Sequence, residues 1–91
     1  MDKIVFITGA SSGIGAGCAR KFASQGASLI LNARNVNKLS ALKEELEKQY
    51  GAKIYLLPFD VRDRKAATSA LESLPKEWQS IDILVNNACL L

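Results

Sequence analysis

The sequence predicts an α/β protein built on a parallel sheet, because short apolar runs alternate with amphipathic segments of helical length. The apolar runs at 4–7, 28–32, 53–58 and 81–85 show little polar alternation, as expected for strands buried on both faces. Three helical segments lie between them. The order β-α-β-α-β-α-β with right-handed crossovers corresponds to half of a doubly wound fold, with strand order 3-2-1-4.

Each helical segment carries an apolar face and a boundary signal. Asp63 is a plausible N-cap for the third helix, and Gly51 ends the second. Trp78, after the third helix, is expected to pack on the margin of the sheet. The residues predicted to form the apolar faces are Ile14, Cys18, Phe22, Leu39, Leu42, Leu46, Tyr50, Ala67, Ala70, Leu71 and Leu74.

Length and composition favour one small globular domain spanning 1–91. The chain has 91 residues, 48% of them hydrophobic, and a net charge of +3. Its cations are scattered among acids, which argues against a nucleic-acid partner. Two cysteines without CxxC spacing and no histidine argue against a metal site. No apolar run reaches the length of about 20 residues that a membrane span needs, so we expect a reduced, cytoplasmic protein.

A glycine-rich turn joins the first strand to the first helix. It reads Thr8-Gly9-Ala10-Ser11-Ser12-Gly13-Ile14-Gly15, with the spacing G-x-x-x-G-x-G. Glycine allows close approach of the backbone to a ligand, and the free N–H groups of a first helical turn attract anions. This pattern predicts a phosphate site, although a merely tight strand–helix turn is the alternative.

Three motifs together resemble those of the short-chain dehydrogenase/reductases. They are the glycine turn, Asp60-Val61 after the third strand, and Asn86-Asn87-Ala88 after the fourth. The resemblance covers essentially the whole chain and implies a Rossmann-like sheet that binds a nicotinamide dinucleotide. The cofactor-binding residues that it implies are Thr8, Gly9, Ser11, Ser12, Gly13, Ile14, Gly15, Arg34, Asp60, Val61, Asn87 and Ala88. Segments 60–64, 74–78 and 81–85 also resemble the NADP-dependent 3-hydroxy acid (serine-type) dehydrogenase branch.

The end of the second strand favours NADP over NAD. In dinucleotide folds an acid about 20 residues beyond the glycine turn binds the ribose 2′-hydroxyl of NAD and would repel a 2′-phosphate. Here the segment 32–35 reads Asn-Ala-Arg-Asn and contains no acid. Arg34 offers a planar set of donors suited to a phosphate. The alternative is that Arg34 is an ordinary exposed loop cation.

Several motif residues also have purely structural interpretations. Asp60 could be an acid that starts a turn or helix. Asn86 and Asn87 could tie the end of a strand to its neighbours, and Thr8 could be a buried hydroxyl that serves the backbone. These roles are compatible with cofactor binding, because shaping the crevice is part of binding.

The family's catalytic residues are not found in this sequence. The resemblance implies a Ser and a Tyr-x-x-x-Lys pair beyond Ala88, whereas Tyr50 and Tyr55 have no lysine at the fourth following position. Cys89 stands where the family has glycine. We therefore expect no hydride transfer from these 91 residues alone.

The predicted sheet is incomplete at the edge formed by the fourth strand. An uncovered edge and a thinly covered face favour self-association or pairing with a complementary chain. We interpret the chain as a truncated, NADP(H)-binding N-terminal part of an alcohol/carbonyl oxidoreductase. The alternative is a non-catalytic interaction module that pairs through this edge.

Overall fold

The computed structural model describes residues 2–87 and contains one four-stranded parallel sheet in the order β3-β2-β1-β4. The predicted fold class and strand order are therefore confirmed. The elements in chain order are β1 (Ile4–Thr8), α1 (Gly13–Ser24), β2 (Ser28–Ala33), α2 (Val36–Tyr50), β3 (Ile54–Pro58), α3 (Arg64–Glu72), a single 3-10 turn (Lys76–Trp78) and β4 (Ile83–Asn86).

The α1 and α2 helices cover one face of the sheet and form the larger part of the core. Side chains alternate between the two faces of a strand, so Val5 and Ile7 of β1 point toward these helices. They pack with the fully buried Leu39 and Leu46 of α2. Asn35 caps α2 by accepting a hydrogen bond from the N–H of Lys38, as is typical of an N-cap.

The opposite face of the sheet is covered more thinly. Its buried cluster contains Phe6, Ile30, Leu57 and Leu74. No residue of α3 is buried, although Asp63 caps the helix as predicted. Trp78 packs against this cluster, with its ring 5.7 Å from that of Tyr55, which confirms its predicted place on the margin of the sheet.

Three residues predicted to lie on apolar helix faces are exposed instead. Ile14 is 70% exposed because the buried stripe of α1 runs through Gly15, Ala19 and Ala23, whereas Ile14 lies in the first turn on another face. Leu71 is 41% exposed on the lightly packed α3, and Tyr50 is exposed at the last residue of α2. Periodicity alone therefore misplaced the edges of each apolar face.

The fourth strand begins later than predicted, at Ile83, and extends to Asn86. Asp82 precedes it and is tied to β1, since its carboxylate accepts from the N–H of Ile4 and its own N–H donates to the Ile4 carbonyl. Within residues 2–87, no helix is long and apolar enough to cross a membrane. The same residues contain no group of three or more metal-ligating side chains.

Candidate cofactor-binding site

A crevice of about 960 Å³ opens at the carboxyl ends of the strands. This is where ligands bind in open parallel sheets, beside the point at which the strand order reverses. The reversal lies between β1 and β4. The residues lining the crevice are Gly9, Ser11, Ser12, Asn32, Ala33, Arg34, Lys38, Phe59, Asp60, Val61, Arg62 and Asn86.

The glycine turn leaves β1 with a backbone conformation that favours glycine. Gly9 has φ 63°, in the left-handed region that other residues rarely adopt. The next residue, Ala10, donates its N–H to the Asn32 carbonyl at 2.7 Å, which ties the turn to the end of β2. Ser12 then caps α1, because its Oγ accepts from the N–H of Gly15 at 3.1 Å.

Gly15 allows α1 to start directly against this turn. A Cβ built at Gly15 would lie 2.2 Å from the Gly9 carbonyl oxygen and 2.9 Å from the Cα of Ala10. Both contacts are with backbone, which cannot move aside as a flexible side chain would. Gly13 differs, because a Cβ there would meet no protein atom within 4 Å. Packing within the protein therefore requires glycine at position 15 and leaves position 13 unexplained.

The end of β4 is held against the glycine turn by side-chain hydrogen bonds. The Asn87 amide donates to the Gly9 carbonyl at 3.2 Å and to Ser12 Oγ at 2.8 Å. The buried Thr8 hydroxyl makes a hydrogen bond of 3.1 Å with Asn86 Oδ1. These bonds show that the Thr8, Asn86 and Asn87 side chains shape the crevice, as their structural interpretations expected.

The other end of the crevice carries charge. The Arg62 guanidinium contacts both carboxylate oxygens of Asp60, with Nη2 at 2.8 Å from Oδ2, and the Arg62 N–H donates to Oδ1 at 2.9 Å. Arg34 Nη1 lies 3.9 Å from the same carboxylate. Hydrogen bonding to Arg62 is the main reason why the pKa of Asp60 is lowered to about 2. Asp60 is therefore an anion at neutral pH.

The structure brings half of the sequence-predicted site residues to the lining of this crevice. Gly9, Ser11, Ser12, Arg34, Asp60 and Val61 line it. Thr8 and Gly15 are buried behind it, while Gly13 and Ile14 are exposed at the start of α1. Asn87 is half-buried beside the turn. Ala88 and Cys89 lie outside the described residues.

Six lining residues lie outside the predicted set of cofactor-binding residues, namely Asn32, Ala33, Lys38, Phe59, Arg62 and Asn86. Asn86 belongs to the Asn86-Asn87-Ala88 motif, and the other five were not predicted to bind the cofactor. A polar residue inside the otherwise apolar 28–32 run was the available signal for Asn32. Lys38 is the third residue of α2, so its position relative to Arg34 depends on where that helix begins. No spacing in the sequence marks Phe59 or Arg62 as crevice residues.

Comparison with known proteins gives a consistent result. A family model described as short chain dehydrogenase matches residues 3–91. The chain is 46% identical over 87 residues to the NADP-dependent 3-hydroxy acid dehydrogenase YdfG of Escherichia coli O6:H1, covering 96% of this chain and 34% of that protein. It is 44% identical over 90 residues to sulfoacetaldehyde reductase 2 of Chromohalobacter salexigens, covering 99% of this chain and 35% of that protein.

Solved structures support the same relationship. L-sorbose reductase from Gluconobacter frateurii, complexed with NADPH and L-sorbose, superposes with a TM-score of 0.88 at 36% identity, covering 94% of this chain and 33% of that one. The chain thus spans about a third of the length of these relatives. The predicted resemblance to NADP-dependent 3-hydroxy acid dehydrogenases is confirmed. With a family match over nearly its full length, the chain belongs to the short-chain dehydrogenase family.

Proposed function

We propose that residues 1–91 form the NADP(H)-binding N-terminal half-domain of an alcohol/carbonyl oxidoreductase. The observation that carries this proposal is the crevice, in which a glycine turn and three cationic side chains line one continuous space. Of the relatives named above, YdfG is named as NADP-dependent and L-sorbose reductase was solved with NADPH. Their named substrates differ, so we propose the alcohol/carbonyl class, with 3-hydroxy acids as one member.

The glycine turn fits a dinucleotide pyrophosphate. Gly13 is exposed, has no left-handed backbone and would keep a Cβ clear of every protein atom. Neither strain nor packing explains glycine there, whereas close approach of a phosphate to the first turn of α1 does. The N–H groups of this turn carry the partial positive charge of the helix, which favours an anion.

The charged end of the crevice fits a ribose 2′-phosphate. Arg34 and Lys38 both line it and carry positive charge, and the Arg34 side chain is 70% exposed and free to reach a ligand. Asp60 is the nearby acid, but Arg62 already pairs with it. The net charge of these four side chains is therefore positive, which attracts a phosphate and removes the repulsion that selects NAD.

The bound cofactor would supply or accept the hydride, and the residues of this chain bind and orient it. No tyrosine in the 91 residues is followed by lysine at the fourth position. We therefore assign binding, and no proton transfer, to the residues described here. Thr8, Asn86 and Asn87 hold the β1 and β4 ends of the crevice in place through their hydrogen bonds.

A titration with NADPH and NADH tests the binding proposal, followed by calorimetry or Trp78 fluorescence. We expect NADPH to bind more tightly, and Arg34→Asp to weaken NADPH by at least about tenfold, or about 1.4 kcal/mol, while changing NADH much less. Arg64→Asp, which makes the same charge change at the start of α3 away from the crevice lining, is the control. Equal losses for the two cofactors would refute the role of Arg34.

A second variant tests the turn separately. Gly13→Ala leaves the fold unstrained, so we expect an unfolding free energy within about 0.5 kcal/mol of the wild type, as for other surface substitutions. NADPH affinity should fall, because the new methyl group would occupy the space next to the pyrophosphate. Unchanged affinity would show that the ligand does not approach this residue.

A non-catalytic interaction module is the second candidate function. It is favoured by Leu84, which lies 61% exposed on β4, and by the pairing of β4 with β1 alone among the described strands. Exposed edges and apolar side chains promote pairing with a second chain. We expect concentration-dependent association in sedimentation, reduced by Leu84→Lys and not by Val36→Lys on α2. A monomer at all concentrations would contradict this candidate.

A further inference from the structure

We propose that Asn32 is a positioning residue that holds the glycine turn and the Asp60 loop in one fixed arrangement. Its effect on ligand affinity rests on the proposed function, whereas its effect on the two loops does not. Asn32 was predicted only as part of the acid-free end of β2. In the structure it is 1% exposed, and Thr8 is the other buried polar residue of the described chain.

Asn32 connects to both loops through different atoms. Its main-chain carbonyl accepts the Ala10 N–H at 2.7 Å, which ties down the glycine turn. Its side-chain amide donates to the Leu57 carbonyl at 2.9 Å and to the Phe59 carbonyl at 3.0 Å. Asp60 follows Phe59 directly. One residue therefore links the phosphate end of the crevice to its charged end.

The amide bonds lie at the carboxyl end of β3, around its last residue, Pro58. Pro58 stands opposite Ala33 of β2, and its position on the edge strand β3 turns the nitrogen away from β2, so proline breaks no bond of the ladder. The two carbonyls that receive the Asn32 amide lie on either side of this proline. Both hydrogens of the Asn32 amide nitrogen are thus matched to two backbone acceptors, one before and one after Pro58.

Only a side chain with two donors on one atom and short reach satisfies this geometry. Leucine has the same number of side-chain heavy atoms but no donor, so both carbonyls would lose their bonds to Asn32, at a buried position for Leu57 and a half-buried one for Phe59, which is costly. Threonine suits a strand and retains one hydroxyl donor. The leucine variant therefore loses both side-chain bonds, and the threonine variant can keep one of them, while the bulk of the side chain stays comparable.

The experiment compares Asn32→Leu and Asn32→Thr with wild type and with Gly51→Ala. Gly51 has φ 63° and open space for a Cβ, so alanine there strains the chain at the opposite end of α2 without contacting the crevice. Native-state hydrogen exchange is measured at the Asp63 N–H, bonded to the Asp60 carbonyl, and at the Gly15 N–H, bonded to Ser12. Affinity for 2′,5′-ADP is measured by calorimetry.

We expect Asn32→Leu to speed exchange at Asp63 by at least about tenfold more than at Gly15, since local opening is confined to the released loop. Affinity for 2′,5′-ADP should fall at least about tenfold, equivalent to about 1.4 kcal/mol. Asn32→Thr should give intermediate values of both, and it carries the test if the leucine variant does not fold.

Equal acceleration at the two amides, matching that of Gly51→Ala, would overturn the positioning role and leave Asn32 as a residue that contributes only to overall stability. If wild type does not bind 2′,5′-ADP, the proposed function fails, and the exchange ratio still decides whether Asn32 positions the Asp60 loop.

Discussion

Two glycines of α1 show how a single atom decides the packing of the site. At Gly15 a Cβ would lie 2.2 Å from the Gly9 carbonyl oxygen, whereas at Gly17 it would meet nothing within 4 Å. The two residues are two positions apart in the same helix and have the same intrinsic helix propensity. Their difference is therefore produced by the backbone of the glycine turn alone.

Alanine substitutions at these positions should have opposite effects. Gly15→Ala forces the start of α1 away from Gly9, and we expect a loss of about 1–3 kcal/mol or more in unfolding free energy, as for other overpacked sites. Gly17→Ala should raise it by about 0.5–1 kcal/mol, because alanine loses less chain entropy in a helix interior. Urea unfolding followed by Trp78 fluorescence measures both, and a similar loss in the two variants would contradict the predicted contact.

Asp60 gives a prediction on pH. Its pKa of about 2 lies below the usual value of 3.8, chiefly because Arg62 donates hydrogen bonds to it. A lowered pKa in the folded protein means that the pair stabilises the fold above pH 3.8 and that this contribution is lost as the pH falls through 2. It should be constant between pH 5 and 8.

Arg62→Ala should return the pKa of Asp60 toward 3.8, as measured by the NMR titration of its carboxyl carbon. Arg34→Ala should shift that pKa less, because its guanidinium lies farther away, at 3.9 Å from the carboxylate. A pKa of Asp60 that does not respond to Arg62→Ala would show that the pair does not persist in solution.

At the scale of elements, α2 and α3 contrast in how firmly they are attached to the sheet. The α2 helix buries Leu39, Leu42 and Leu46, while α3 has no buried residue. Burial of apolar surface is the main source of stability in a small domain. The two faces of the sheet therefore contribute unequally to the fold.

Truncation of one leucine on each helix measures this difference. Leu46→Ala removes a fully buried side chain, and we expect a loss of about 2–5 kcal/mol in unfolding free energy. Leu71→Ala removes a side chain that is 41% exposed, with an expected loss of about 1 kcal/mol or less. Denaturant unfolding measures the loss in each variant. Comparable losses would mean that α3 is held more tightly than its burial indicates.

The α1–α2 pair adds a polar contact between elements. Arg20 and Glu45 make a two-point ion pair across these helices, with Nε at 2.6 Å from Oε2. Both side chains are more than a third exposed, so solvent screens their attraction. We therefore expect this pair to contribute little to the stability of the fold.

At the scale of the whole molecule, cofactor binding and folding should be linked. Both ends of the crevice are formed by segments far apart in sequence, at 9–12, 32–38 and 59–62, so the site exists only in the folded chain. A ligand that binds only the folded state shifts the unfolding equilibrium by mass action. A chain of this length has a small margin of stability, which makes the shift easy to observe.

NADPH at 100 times its dissociation constant should raise the unfolding free energy by about 2.7 kcal/mol. Thermal unfolding at increasing NADPH concentrations measures the shift. In the Arg34→Asp variant a higher NADPH concentration should be needed for the same shift. A melting temperature that does not depend on NADPH would contradict cofactor binding by this chain.

Much of the fold was predictable because its signals are local. Buried parallel strands are recognised as apolar runs, and helices as periodic apolar stripes with Asp63 or Gly51 at their ends. The strand order was predicted from the correspondence to half of a doubly wound fold. The exposed positions of Ile14 and Leu71 were not predictable. Periodicity finds the direction of an apolar face, whereas its width depends on what the rest of the chain places against it.

The candidate site divides in the same way. Gly9 and Ser12 could be identified from the spacing of the glycine turn and Arg34 from its place at the end of β2, whereas Asp60 was identified through the family resemblance. The pairing of Arg62 with Asp60, and the two bonds from Asn32 to the carbonyls around Pro58, join side chains to partners that no sequence pattern marks. The amino-acid order determines which strand ends carry polar groups, but hydrogen bonds form only between atoms within about 3 Å. Only the folded chain brings β2, β3 and the glycine turn that close together.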